Sequence, residues 1–227
     1  MADVCDLFII ESFSPSSKVY HEGWEIASAL RKMGKKPIYL NVGTVEELKR
    51  ALLMFRTSRY RFIHFSCHGS DHSLTLSESG ELSYESFAQI SARCFNLKRV
   101  FFSSCRLGNK NFSELIAMQN LGIQSIIAPI GDISSIVSIP FWSAFYSSIL
   151  LPKIVSAIEI SETKSMSFST ILHNFGYVVA LYRERFHISY HETSGHVLYH
   201  KKLIPGKKIE DYSFFSGVKP YDELKLK

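Results

Sequence analysis

Paired cysteines are missing from this chain. Cys5, Cys67, Cys94 and Cys105 show no C-x-x-C spacing and sit in no small secreted framework. That excludes a disulfide-stapled scaffold and favours free thiols in a reducing, cytoplasmic compartment. A basic leader is also lacking. The opening MADVCDLFIIESF is acidic where a signal peptide is basic, and its apolar run is too short. No stretch has the uninterrupted apolar length of a membrane span. The longest candidate, SIVSIPFWSAFYSSILL, is broken by Pro140 and carries several serines. Charge of one sign is scarce too: 26 Lys and Arg against 21 Asp and Glu leave a net +5. The positive residues are dispersed through RKMGKK, RTSRYR, LYRERF and YHKKLIPGKK, the pattern of an ordinary solvated surface. With no motif of the usual nucleic-acid-binding modules, no specific nucleic-acid partner is expected. Internal repeats and low-complexity linkers are absent.

What is present is an alternation of strands and helices. At 227 residues, with 46% apolar and 21% charged, the chain is long enough for one α/β domain with a substantial core. DLFIIES, KPIYLNV, RFIHFSC, RVFFSSC and IQSIIAPI read as strands. Between them, HEGWEIASALRKMG has apolar residues at helical spacing from Trp24 to Met33, with Gly34 placed to end the helix. Thr44 followed by Glu47 opens the next helix as a capping box. SLTLSESGELSYESF alternates around Ser-Gly and reads as a hairpin arm. ESFAQISARCF and FSELIAMQNLG are helical, and IPFWSAFYSSIL is a helix with Pro140 in its first turn. A longer helix is expected over about 165–186 and a last strand in GHVLYHKKLI. This order predicts a mostly parallel sheet with helices on both faces. The domain is expected to span 1–204, with 205–227 as a charged tail.

In such a sheet, ligands and catalytic groups collect at the carboxyl edge of the strands. One strand runs into FIHFSCHGSDHSL, which holds a cysteine, three histidines and an aspartate. Alternation puts Phe62, His64, Ser66 and His68 on one face and Ile63, Phe65 and Cys67 on the other. Chelation needs convergent side chains, so the pattern argues against a metal site. It marks Cys67 as a small core residue and His64 as a hydrogen-bonded core histidine. The histidines of FHISYHETSGHVLYH (His187, His191, His196, His200) read as the solvated face of a hairpin rather than a zinc site. His68 is different, because Gly69 follows it and leaves room beside the strand end. Cys105 also ends a strand, followed by RLGN. An imidazole near a thiol favours the thiolate nucleophile. The backbone N–H groups of Gly69 and Cys105 are then placed to hold an oxyanion.

HFSCHGSDHSLTLSESGELSYESF, KRVFFSSCRLGN and IQSIIAPIGDISSIVSIPFWSAFYSSIL together resemble the CHAT family of caspase-like, clan CD cysteine peptidases. Members show a strand ending His-Gly, a β-arm with a Gly-centred turn, a strand ending Ser-Ala-Cys, then a strand, an Asp and a helix ending Phe-Tyr-x-x-Leu. Phe145, Tyr146 and Leu150 approximate that last pattern, and HEGWEIASAL is similar to a Glu-Gly helix start in compact members. The resemblance implies a caspase-like three-layer α/β sandwich, with His68 as general base, Cys105 as nucleophile and no cofactor or metal. A caspase-like S1 pocket is lined near the strand ends, which makes Ser103, Arg106 and Asp132 candidate substrate-binding residues. Asp132 matches the Asp that follows this strand in CHAT proteins and in separases, where such an acid accompanies cleavage after arginine. Its other reading is a cap for the following helix.

The chain departs from the family at Ala128-Pro129, where many relatives carry Leu-Trp, and at Arg106-Leu107, where many carry small residues. Both departures lie where a substrate pocket is expected. The resemblance implies a cysteine endopeptidase cutting one or a few protein partners, such as a neighbouring-gene, pore-forming effector in bacterial defence or regulated cell death. A separate regulatory partner is expected. The competing reading is a catalytically silent caspase-like module that acts by binding.

Overall fold

A computed structural model describes residues 4–14, 21–150, 154–156, 159–160, 168–182, 186–191, 198–203 and 214–216. The strands β1 (Val4–Ser12), β2 (Ile38–Asn41), β3 (Tyr60–Gly69), β6 (Arg99–Phe102) and β7 (Ser125–Pro129) form a parallel core in the order β2-β1-β3-β6-β7. The arm β4 (Ser73–Leu76) and β5 (Gly80–Ser83) folds back antiparallel on the end of β3, and Gly80 makes its turn at φ +74°. A separate pair, β8 (Ile154–Ser156) and β9 (Glu159–Ile160), stands off the main sheet. Three antiparallel strands extend the other edge: β10 (Phe186–His191), β11 (Leu198–Leu203) and β12 (Phe214–Ser216). β12 thus joins the sheet within the stretch expected as a tail.

Helices cover both faces, as the pattern predicts. On one side α1 (Glu22–Lys32), α5 (Ser135–Leu150) and α6 (Phe168–Tyr182) bury Ile26, Leu30, Trp142, Phe145 and Phe175 against Leu7, Ile9, Phe62 and Phe101. On the other, α2 (Val45–Thr57), α3 (Tyr84–Ile90) and α4 (Lys110–Gln119) bury Leu52, Phe55, Phe87, Phe112 and Ile116 against Phe8, Ile63, Phe65 and Phe102. The odd–even split of each strand therefore sorts its side chains into two separate cores. Among the described residues no helix is long and apolar enough to cross a membrane.

The local signals act as expected. Gly34 ends α1 at φ +78°, with the Lys35 N–H bonded back to the Leu30 carbonyl. Thr44 and Glu47 form a reciprocal capping box on α2, and hydrogen bonds from the Gly43 and Thr44 N–H groups hold the Glu47 carboxyl below its usual range. Three expectations fail. Pro140 lies inside α5, not in its first turn, because the helix starts at Ser135, where the Ser134 carbonyl already accepts the Val137 and Ser138 N–H groups. α6 stops at Tyr182, and Phe186 instead pairs with Pro129 and Leu203 in the sheet. His187 is buried, because β10 lies between β7 and β11 and both its faces are covered. His196 and the side chains of His191 and His200 lie outside the described residues.

Candidate active site

The strands β3 and β6 are parallel neighbours with Phe65 opposite Phe102, so their carboxyl ends emerge side by side. The Ser103 N–H extends the pairing to the Phe65 carbonyl at 2.8 Å. Beyond it, Gly69 approaches the Cys105 turn so closely that a Cβ there would lie 2.6 Å from the Cys105 carbonyl oxygen and 3.1 Å from Ser104 Cβ. A glycine is required at this contact, and it sets His68 and Cys105 at one edge of the sheet. His68 is exposed and packs edge-on against Phe13 at 5.0 Å. Cys105 is half-buried. Its sulfur lies 3.4 Å from the Ile133 N–H and 3.8 Å from the Ile133 carbonyl. The N–H donates to a thiolate, whereas the carbonyl accepts only from a thiol, so this contact accommodates either form.

Cys67 points the other way, as alternation predicts. It sits in the core over α3, 3.2 Å from Ser104 Oγ, and burial pushes its thiol up to about 11. It stays protonated across the neutral range, so it is a poor nucleophile. At pH 8 iodoacetamide should therefore modify Cys105 well before Cys67 or the buried Cys94, which peptide mapping would show. Cys67→Ser should keep most of the activity. A folded but inactive Cys67→Ser protein would reverse the assignment of the two thiols.

The residues after Cys105 divide sharply. Arg106 sits at φ +62° and is exposed, with its N–H bonded to the Gly131 carbonyl at 3.1 Å. Its guanidinium grips Asp132 in two bonds, Nε to Oδ1 at 2.8 Å and Nη2 to Oδ2 at 3.0 Å, and reaches Asp71 at 3.4 Å. Arg106 holds the Asp132 carboxyl below its usual range. Asp132 is thus spent on Arg106 rather than on capping α5. Leu107 turns inward and is fully buried, so it belongs to the core and not to a pocket wall. Gly108 packs on β7: its N–H donates to the Pro129 carbonyl at 2.6 Å, and a Cβ would stand 2.5 Å from the Ala128 and Pro129 oxygens. Gly108→Ala should cost about 1–3 kcal/mol by overpacking, seen as a melting temperature several degrees lower. An unchanged melting temperature would mean that this turn is looser than the distances say.

Under the strand ends lies a polar network that no motif signalled. Glu22, at the first position of α1, is buried and accepts from Ser66 Oγ at 3.0 Å. Its other oxygen is 3.6 Å from His64 Nε2, and His64 Nδ1 meets Tyr146 OH at 2.8 Å. Beside it, buried Glu11 accepts from the Gly23 N–H at 2.7 Å and from Tyr39 OH at 2.6 Å. His64 is therefore the hydrogen-bonded core histidine expected. Ser103 is buried at the same depth, with its hydroxyl unpartnered among the described residues, rather than opening to substrate. The one sequence cue was Glu-Gly at 22–23. Gly23 is obligatory there because a Cβ would lie 2.8 Å from Ile9 Cγ2.

A family model described as the CHAT domain matches residues 8–159, two thirds of the chain, with His68 and Cys105 both inside the match. The chain belongs to the CHAT domain family. The matched CHAT domain runs from β1 to β9, and α6 with β10–β12 lies beyond it. A search of curated proteins found no match. Among solved structures the chain is similar to a secreted C11 cysteine protease from Bacteroides thetaiotaomicron, crystallised in complex with an irreversible peptide inhibitor. Identity is 7% and the TM-score 0.48, over 82% of this chain and 66% of that one. The chain thus spans about two thirds of the length of that protease.

Proposed function

We propose that this CHAT domain is a cysteine endopeptidase in which Cys105 is the nucleophile and His68 the general base. The supporting observation is the close approach of Gly69 to Cys105, which brings the histidine-bearing end of β3 and the cysteine-bearing turn after β6 to one edge. In this reading Cys105 Sγ attacks the scissile carbonyl carbon and its proton passes to His68. Negative charge collects on the former carbonyl oxygen, within reach of the Gly69 and Cys105 N–H groups. The C–N bond then breaks, and His68 returns the proton to the departing amine. Water, deprotonated by His68, attacks the remaining thioester and releases the acid and the free thiol.

The substrate is a protein segment, extended enough to lie across the strand ends, and the family association points to one or a few partners encoded near the gene, such as an effector held inactive until cut. A separate regulator would act on the same edge. The test is incubation of wild-type and Cys105→Ala protein with the proteins encoded beside the gene. Cleavage by the wild type alone supports the peptidase. Partner binding by both proteins with no cleavage would assign the chain to the silent, binding class.

A further inference from the structure

A cavity of about 860 Å³ opens at the opposite edge of the sheet from Cys105. Arg56 from the last turn of α2, Arg59 from the connection to β3, Arg61 from the start of β3, Arg93 from the turn after α3 and Lys98 just before β6 all line it. No carboxylate is among its described lining residues. In sequence these cations are scattered over more than forty positions, and only the fold gathers them. The gathering is built in. Arg93 sits at φ +61° with its N–H on the Gln119 carbonyl at 3.0 Å. Leu97 sits at φ +55° with its N–H on the Gly122 carbonyl at 2.9 Å. Lys98 is held by the Ser58 and Tyr60 carbonyls and lies 4.8 Å above the Phe55 ring.

Arg56 and Arg93 have no ion-pair partner among the described residues. Just behind the cavity Arg99 is 8% exposed, and burial, with repulsion from Arg61, pulls it down to about 10. Cations crowded in this way are relieved by an anion. Four of the five are arginines, whose planar forks match phosphate oxygens two at a time. The volume falls in the usual range for small-ligand sites, about 300–1,000 Å³. Exposed Leu97, Met118 and Leu121 at the rim offer an apolar platform beside the charge.

We propose that this cavity binds a polyphosphate ligand of nucleotide size, its phosphates on the arginines and its apolar part on Leu97, Met118 and Leu121. The inference is independent of the peptidase reading. Arg61 and His68 lie on the same strand but seven residues apart, a separation of about 23 Å.

Isothermal titration calorimetry at low salt, with ATP and inorganic tripolyphosphate as probes, tests the proposal. One ATP per chain is expected to bind, tripolyphosphate more weakly at the same site, and both less as salt rises. Arg56 and Arg59 are exposed. Arg56→Gln with Arg59→Gln should therefore leave the melting temperature unchanged yet weaken ATP binding at least about tenfold, while Lys49→Gln on the same helix leaves binding as it was. Absence of saturable binding by either probe overturns the proposal, as does full-strength binding by the double variant. Displacement of ATP by a single-stranded DNA 12-mer or a glutamate-rich peptide at lower concentration would reassign the cavity to a macromolecule.

Discussion

Folded Cys105→Ala protein is expected to lose peptide-bond cleavage by about a thousandfold or more, and His68→Ala protein by a similar factor. The double variant should be little worse than either single one, because a nucleophile without its base and a base without its nucleophile fail for the same reason. Both side chains are separable from the fold. His68 is exposed and touches Phe13 by its ring edge, and Cys105 is half-buried, with its sulfur against one loop residue, Ile133. Circular dichroism and melting temperature should stay near wild type in both variants. Substantial turnover by Cys105→Ala, or an additive loss in the double variant, would sink the assignment.

The legible part of this fold was set by short-range physics. Alternation along β3 sorted Ile63, Phe65 and Cys67 from Phe62, His64 and Ser66, and the two cores divide in that way. The capping box at Thr44, the stop at Gly34 and the arm turn at Gly80 depend on a few neighbouring residues, so sequence alone placed them. The failures came where distant segments meet. His187 has the pattern of a solvated hairpin residue, and only the pairing of β10 with both β7 and β11 buries it. Glu22 stood out only as part of a Glu-Gly helix start, yet it lies under the strand ends with Ser66 and His64. The dispersed basic clusters proved partly convergent, since RTSRYR in the α2–β3 region faces Arg93 and Lys98 across one cavity. At the candidate site, the positions of His68 and Gly69 at the end of β3 were readable, whereas Cys105, expected to end its strand, lies in a turn three residues past the end of β6. The bidentate hold of Arg106 on Asp132 was not, because it depends on the left-handed backbone at Arg106, twenty-six residues away in the chain.

That hold makes substrate preference testable through Arg106. If Asp132 is the acid that receives a basic side chain before the scissile bond, Arg106 now occupies the place of that side chain. Both Asp132 oxygens are engaged at 2.8 and 3.0 Å, and a substrate guanidinium must displace a guanidinium of the same chain. Both groups are well exposed, so the exchange takes place in water-rich surroundings, where such a pair is weakly held. Arg106→Gln should therefore free Asp132 and raise cleavage after Arg or Lys relative to Leu by about tenfold, the scale of one charge-assisted hydrogen bond made in the transition state. Asp132→Asn should lower the same ratio, and it should erase the increase when combined with Arg106→Gln. A fluorogenic peptide panel differing only at the residue before the cut measures all three proteins. If Arg106→Gln leaves the ratio unchanged while Asp132→Asn slows every peptide equally, the pair is a clasp between the loop after Cys105 and the loop after β7. The preference before the cut would then lie with other residues of the edge.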